Sequence, residues 1–216
     1  RASDFDCYTG VIPETSATIP EVLHHYVYRS AAYGKWHNTP ANQTTAMGPF
    51  DRWPTGHGFD YFYGFLAGET SQYEPRLYEN LNPVEPPHDE EYHLTEDMAD
   101  KAIAWLKQHQ AFSPDKPFFM YWAPGAAHGP HHVFSEWADK YKGKFDDGWD
   151  AYRERVFKRQ KELGWIPEDS KLTPRPDTLA SWDSIPESQR AFQRRLMEVF
   201  AGFVEHTDAQ VGKLID

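Results

Sequence analysis

The sequence has a single cysteine, no long apolar run and a minority of basic residues. Cys7 is alone among 216 residues, which excludes an internal disulfide and a cysteine-rich zinc site. No apolar stretch approaches the length of about 18 residues that predicts a transmembrane helix, and "RASDFDCYTG" does not predict a signal peptide. Lysine and arginine number 22 against 33 aspartate and glutamate, for a net charge of −11. We therefore expect neither a nucleic-acid partner nor an acidic membrane surface, since both need a broad basic field.

Aromatic residues make up 16% of the chain, within a hydrophobic content of only 39%. This balance predicts a core that is built on rings more than on aliphatic side chains. The 17 prolines cluster in long segments, such as 38–60 and 68–93, which predict ordered loops. Loops of that length in a compact domain are usually functional.

The pattern along the chain predicts an α/β fold around a mostly parallel central sheet. Thr18 is the predicted N-cap of a short helix, with Glu21 at its third position. Thr95 is the predicted N-cap of the clearest helix. The sequence predicts strands over 26–35, 61–66 and 116–123, the last buried on both faces, and a long final helix over roughly 187–216. Its predicted apolar stripe is Phe192, Leu196, Val199, Phe200, Phe203, Val204, Val211 and Leu214.

Three cationic or titratable side chains follow two of the predicted strands. Lys35 and His37 stand at the carboxyl end of the first strand, on the side opposite to Trp36. His128 comes shortly after the apolar strand 116–123. Ligands of open parallel sheets bind outside the carboxyl ends of the strands. We therefore expect Lys35, His37 and His128 to converge at one edge of the sheet.

Such a trio suits the transfer of an anionic group. A lysine can stabilise charge on non-bridging oxygens, one histidine can move a proton at the nucleophile, and another can protonate a leaving oxygen. The simpler interpretation is that each residue is only a solvated or hydrogen-bonded side chain at a strand end. The pattern alone leaves both interpretations open.

Other histidines attract a weaker functional interpretation. His128, His131 and His132 form H-x-x-H-H, but Pro130 argues against the regular helix that a shared metal would need. We therefore predict no metal ligands among them. Glu205, His206 and Asp208 fall on the final helix, where two of the three are expected to face solvent.

Several stretches, in order along the chain, resemble one known family. "GKWHN" resembles the second sulfatase signature, and "GPFDRWPTGHGFDYFYGFLAGETSQYEP" resembles the segment that follows it in bacterial arylsulfatases. "KPFFMYWAPGAAHGPHH" resembles the strand and loop that carry the substrate-side histidine, and "HTDAQVGKLID" resembles the helix before the second metal motif. The resemblance runs from about Gly10 to the end. On these motifs the chain resembles a bacterial arylsulfatase of the alkaline phosphatase superfamily.

This resemblance implies an alkaline-phosphatase-like α/β sandwich that hydrolyses small-molecule sulfate esters to an alcohol or phenol and sulfate. The family uses a formylglycine, whose hydrate attacks sulfur, and a divalent metal, usually Ca²⁺. By resemblance, Lys35 contacts the sulfate and the nucleophile, and His37 hydrogen-bonds the formylglycine hydrate and takes its proton as sulfate is released. His128 would contact the sulfate near the leaving oxygen.

The sequence departs from the family pattern in several places. It has no C/S-x-P-x-R motif for the formylglycine, no paired aspartates of the first strand and no D-N metal pair. Val27 stands where the family usually has a glycine. We therefore expect residues 1–216 to be an internal part of a sulfatase catalytic domain, with 134–186 an excursion of helices and loops from the sheet. The nucleophile and the Ca²⁺ ligands would lie outside this chain, and the isolated chain would be inactive.

Three other functions compete with this one. The aromatic loops and the three cationic residues could form a non-catalytic binding module for sulfated or other anionic ligands. The reaction could be hydrolysis of phosphate monoesters or diesters, within the same superfamily. A histidine-rich zinc module is the remaining alternative.

Overall fold

The structure, a computed structural model, describes residues 10–216. Cys7 lies outside the described residues. The strands are β1 (Arg29–Lys35), β2 (Tyr61–Phe65), β3 (Leu77–Glu79), β4 (Asn82–Val84) and β5 (Phe118–Ala123). The α-helices are α1 (Ile19–His24), α2 (Leu94–Phe112), α3 (Ser135–Asp139), α4 (Gly148–Glu162) and α5 (Glu187–Ile215).

The strands of residues 10–216 form one mixed sheet in the order β4-β3-β2-β1-β5. The central β1 is parallel to both β2 and β5, whereas β3 and β4 form an antiparallel hairpin on β2. The predicted α/β fold with parallel central strands is therefore confirmed. The hairpin lies inside the predicted loop 68–93 and was not expected, because its strands have only three residues each.

Two aromatic clusters cover the faces of the sheet. One contains Tyr33, Tyr63 and Phe65, which pack with Leu94 and Met98 of α2. The other, on the opposite face, consists of Ala32, Trp36, Trp53, Phe59, Phe62, Leu66 and Tyr78. The odd-numbered residues of β1 serve the first cluster and Ala32 serves the second, as the alternation of a strand requires. The prediction of a ring-based core is confirmed.

Strand β5 departs from its predicted burial. Among the described residues it pairs with β1 only, and its Phe118 and Tyr121 are 46% and 43% exposed. The continuous apolar run led us to expect burial on both faces. Because β5 is the edge of the sheet formed by residues 10–216, that expectation is wrong for this chain.

The helix ends follow local chemistry, with one correction. Thr18 caps α1 in a reciprocal capping box with Glu21, as predicted. Helix α2 instead begins after His93, whose Nδ1 accepts the Thr95 N–H at 3.2 Å. Thr95 lies inside the helix, so its predicted role as the cap is wrong. Val27, after α1, has the left-handed φ of 60° that favours glycine.

The chain divides into two compact units. The first holds the sheet, α1 and α2 together with 206–216, and the second comprises 133–205. Within the second unit, Arg195 of α5 pairs with Asp139 of α3 at 2.7 Å, and the rings of Trp149 and Trp182 meet edge to face at 4.9 Å. That all of 1–216 belongs to one catalytic domain, with 134–186 as an excursion, stays a prediction.

The predicted stripe on α5 is only partly buried. Phe203 is fully buried, but Phe192, Leu196 and Val204 are 63%, 44% and 44% exposed. The predicted helix is confirmed, but the spacing of apolar residues cannot show which turns of a long helix pack against another element. No helix within residues 10–216 is both long and apolar enough to cross a membrane.

Candidate functional site

The parallel strands bring three loops to one edge of the sheet. In the register, Lys35 at the end of β1 lies opposite Phe65 of β2, and Gly34 lies opposite Ala123 at the end of β5. The segments carrying His37 and His128 therefore leave the sheet on the same side, because parallel strands share the position of their carboxyl ends. This is the edge that the sequence predicted as a binding site.

Lys35 is set in place by its neighbours on both sides. A Cβ on Gly34 would lie 2.1 Å from the Ala123 carbonyl oxygen, so only glycine lets β1 and β5 approach this closely. Trp36 is buried in the second aromatic cluster, and its indole Nε1 donates to the Arg52 carbonyl at 3.1 Å. Lys35 itself is half-buried, and its ammonium has no hydrogen bond or ion pair with another side chain of residues 10–216. A free cation at the end of a strand is suited to holding an anion.

His37 is exposed, and its ring rests on the loop that follows β2. A Cβ built on Gly68 would lie 2.7 Å from the imidazole Cε1 and 3.1 Å from Nδ1. Any residue larger than glycine at position 68 would therefore displace the ring. The glycine marks a close contact between this loop and His37.

His128 makes two contacts through one ring nitrogen. Its Nδ1 donates to the Gly129 carbonyl at 2.7 Å and lies 3.5 Å from Oε2 of Glu69. That hydrogen bond assigns the proton to Nδ1 and leaves Nε2 as the nitrogen that can exchange a proton with a ligand. The side chains of His128 and Glu69 are 53% and 65% exposed, so the pair faces solvent.

One loop therefore contacts both histidines. Gly68 meets His37 and the adjacent Glu69 meets His128. Glu69 was not expected at this site, because a lone glutamate in a Pro-rich loop carries no signal of its own. The available signal was its position, directly after the aromatic strand that ends at this edge.

A buried histidine pair lies next to this loop. His93 and His206 are 1% and 0% exposed, with ring centroids 4.3 Å apart. His93 Nε2 donates to the His132 carbonyl at 3.1 Å, and His206 Nε2 is 2.8 Å from Oε1 of Glu96. Burial, reinforced by the neighbouring His206, lowers the pKa of His93 to about 4. Of Glu205, His206 and Asp208, two were expected to face solvent; Asp208 is exposed and Glu205 partly exposed, and the third, His206, is a core residue.

His132, considered above only as a possible metal ligand, has a structural role. Its Nδ1 accepts the backbone N–H of Gln72 at 3.3 Å, and its ring stacks on Tyr73 at 5.0 Å. Burial lowers its pKa. These contacts tie the end of the loop that carries His128 to the loop that carries Glu69.

The described residues do not provide the metal centre that the resemblance implies. Within residues 10–216, no three histidine, cysteine, aspartate or glutamate side chains come together where they could hold a metal ion. The residues present therefore do not fit a Ca²⁺ site, and no step of the chemistry below is assigned to a metal on this chain.

Comparison with known proteins decides the family. The Sulfatase family model matches residues 2–216. The chain belongs to the sulfatase family. An uncharacterized sulfatase of Schizosaccharomyces pombe is 32% identical over 227 residues, which cover 97% of this sulfatase chain and 39% of the relative. An arylsulfatase of Klebsiella aerogenes is 27% identical over 212 residues, which cover 92% of this chain and 42% of the relative. The chain thus spans about two fifths of the length of the curated relatives it matches.

Solved structures agree on the fold. The structure of Ps i-CgsB in complex with k-i-k-neocarrahexaose has a TM-score of 0.58 at 19% identity, covering 95% of this chain and 37% of that one. A protein solved with its substrate D-glucosamine-2-N,6-O-disulfate has a TM-score of 0.55 at 16% identity, covering 98% of this chain and 49% of that one. At these identities the likeness supports the alkaline-phosphatase-like fold and says nothing of the ligand.

Proposed function

We propose that this chain is part of a longer arylsulfatase-type enzyme that hydrolyses sulfate esters to an alcohol or phenol and sulfate. The observation that carries the proposal is the edge of the sheet, where the free cation Lys35 and the segments of His37 and His128 follow the carboxyl ends of two adjacent parallel strands, β1 and β5. Membership of the sulfatase family supports this assignment.

Each of the three side chains would have a separate role around the sulfur atom of the ester. Lys35 would bind the non-bridging oxygens, whose negative charge a positioned cation stabilises in a dry site. His128, with its proton on Nδ1 held by Gly129, would give a second proton from Nε2 to the ester oxygen as the S–O bond breaks. His37 would take a proton on the side of the nucleophile. When bound, a formylglycine hydrate would supply the attacking oxygen and a divalent metal, Ca²⁺ by family resemblance, would hold the sulfate, both from outside this chain.

The charge distribution fits a small anionic substrate. The chain carries a net charge of −11, so attraction of a sulfate must come from local cations such as Lys35. Aromatic side chains of the loops, such as those in 61–73, could pack on an aryl group or on a sugar. Sulfated sugars are therefore a class to test beside aryl sulfates.

The test compares sulfate and phosphate esters of one phenol. The longer protein is expected to hydrolyse 4-nitrophenyl sulfate faster than 4-nitrophenyl phosphate, and Lys35→Ala is expected to lower kcat/KM for the sulfate by about 100-fold or more. Lys107→Ala removes the same charge from an exposed position on α2 and should leave the rate unchanged. The isolated 216-residue chain should be inactive.

Each opposite result selects another function. Preference for the phosphate ester would make the protein a phosphate esterase of the same superfamily. Saturable binding of a sulfated sugar without turnover, even by the longer protein, would make it a binding module. Turnover by the isolated chain would refute the assignment of the nucleophile to a part outside it.

A further inference from the structure

We propose that Glu69 is a positioning residue for the reaction, holding His128 in the orientation in which it protonates the leaving oxygen. This inference rests on the proposed function, because it assigns Glu69 a role in the same hydrolysis. The observation that carries it is the contact between Oε2 of Glu69 and Nδ1 of His128 at 3.5 Å.

The direction of the imidazole follows from the two acceptors around Nδ1. The Gly129 carbonyl accepts a hydrogen bond from Nδ1–H at 2.7 Å, and Oε2 of the Glu69 carboxylate lies 3.5 Å from the same nitrogen. Both acceptors oppose a flip of the ring, since a flip would bring a C–H group to them. Nε2 is thereby kept on the side away from Glu69, where a substrate oxygen can reach it.

Contacts made by the buried Gln72 hold the exposed side chains of Glu69 and His128 close together. Gln72, which is 2% exposed, lies three residues after Glu69 and closes on the other loop at two points. Its backbone N–H donates to Nδ1 of His132 at 3.3 Å, and a Cβ on Gly125 would lie 2.4 Å from its Nε2. Gly125 and His132 flank His128 in sequence. The loop that carries Glu69 therefore contacts the loop that carries His128 at positions that precede and follow this histidine in the sequence.

The same loop also carries the contact to His37. The His37 ring rests on Gly68, which directly precedes Glu69. A loop held at Gln72 thus presents a glycine to one histidine and a carboxylate to the other. This arrangement sets the relative positions of both histidines from a single segment.

The carboxylate contributes through charge. When His128 gives its Nε2 proton to the ester oxygen, the ester S–O bond breaks, the alcohol leaves and the imidazole becomes neutral, while the nucleophile outside this chain would form the new O–S bond. An anionic acceptor beside the Nδ1–H holds the ring more firmly than a neutral amide would, so Nε2 stays directed at the ester oxygen. The benefit is greatest for alcohols that leave poorly, because good leaving groups depart without full protonation.

The experiment measures leaving-group dependence in the longer, active protein. In Glu69→Gln, kcat/KM should fall about tenfold or more for an alkyl sulfate and less than about threefold for 4-nitrophenyl sulfate. Glu74→Gln makes the same charge change on the same loop at an exposed position and should affect the two esters equally. Adding Glu69→Gln to His128→Ala should have no further effect on either ester, because Glu69 acts through the histidine.

Two results would overturn the inference. Equal losses on both esters in Glu69→Gln would indicate a general structural effect, and a full additional loss in the His128→Ala background would show that Glu69 acts independently. Failure of the wild-type protein to hydrolyse any sulfate ester would overturn the proposed function, together with the inference that rests on it. An active wild type with an unselective Glu69→Gln would overturn the inference alone.

Discussion

Acid should destabilise this protein through the buried His93. In the folded state its imidazole accepts the Thr95 N–H, donates to the His132 carbonyl and lies 4.3 Å from the ring of His206. A proton on Nδ1 would remove the acceptor that caps α2 and would place a charge in the core. The folded state therefore resists protonation, and burial lowers the pKa of His93 from its ordinary 6.5 to about 4.

The sign and the size of the effect follow from this difference. Above pH 6.5 His93 is neutral in both states and has no effect on the pH dependence. Between pH 6.5 and 4 the unfolded chain takes a proton that the folded state refuses, so the free energy of unfolding falls as the pH falls. At about 1.4 kcal/mol for each unit of pKa, the full loss is about 3 kcal/mol and is complete below pH 4. A loss of this size is a large part of the free energy of unfolding of an ordinary domain.

The assay is urea unfolding, followed by tryptophan fluorescence, at pH 7, 6, 5 and 4. His93→Asn keeps a side-chain acceptor for the helix cap but does not titrate. The variant should be less stable at pH 7, because it loses the bond to the His132 carbonyl. It should nevertheless lose about 3 kcal/mol less than the wild type between pH 7 and pH 4.

The matched control is His25→Asn, a change at an exposed histidine, which should leave the pH dependence as it is. The other titratable groups around His93, namely the buried His206 and the half-buried Glu96 and His132, remain in every variant, so the difference isolates His93. Equal losses in wild type and His93→Asn, within about 1 kcal/mol, would refute the reasoning.

Two further substitutions test the backbone. Val27→Gly should raise the free energy of unfolding by about 1 kcal/mol in thermal or urea unfolding, because an exposed valine at φ 60° is strained. Val22→Gly, within α1, should instead lower it by a similar amount, and a loss at both sites would show that Val27 is not strained. Gly68→Ala should lower kcat of the longer protein about tenfold with little change in stability, since its Cβ would displace the exposed His37 ring. Gly212→Ala, with open space around it, is the control, and unchanged turnover in Gly68→Ala would mean that the ring position does not matter.

Much of the sheet edge could be predicted because its causes are local. Alternation of apolar residues marked β1 and β2, and the order of strands and helices indicated parallel pairing, which is confirmed. The edge that should bind a ligand followed from that order alone. The interpretation of Val27 as an unusual residue at a glycine position agrees with its left-handed backbone in the structure.

Contacts between distant segments escaped prediction. His206 pairs with Glu96, which is 110 residues away in the sequence. No residue pattern near either side chain predicts this contact. The cap of α2 was misassigned for the same reason, because His93 is a usable cap only when His206 and the His132 carbonyl surround its ring. The roles assigned to Lys35, His37 and His128 stay predictions.

The sequence by itself indicated the family and the parallel α/β core, which are confirmed, and it predicts that Lys35, His37 and His128 act at one edge of the sheet. These features depend on residue spacing and on helix and strand periods, which are properties of short segments. Only the tertiary structure decided that Glu69 meets His128, that Gly68 supports His37 and that His93 and His206 form a buried pair. Such contacts depend on which loops the packed core brings within a few ångströms, and burial changes the chemistry of a side chain only after the chain has folded.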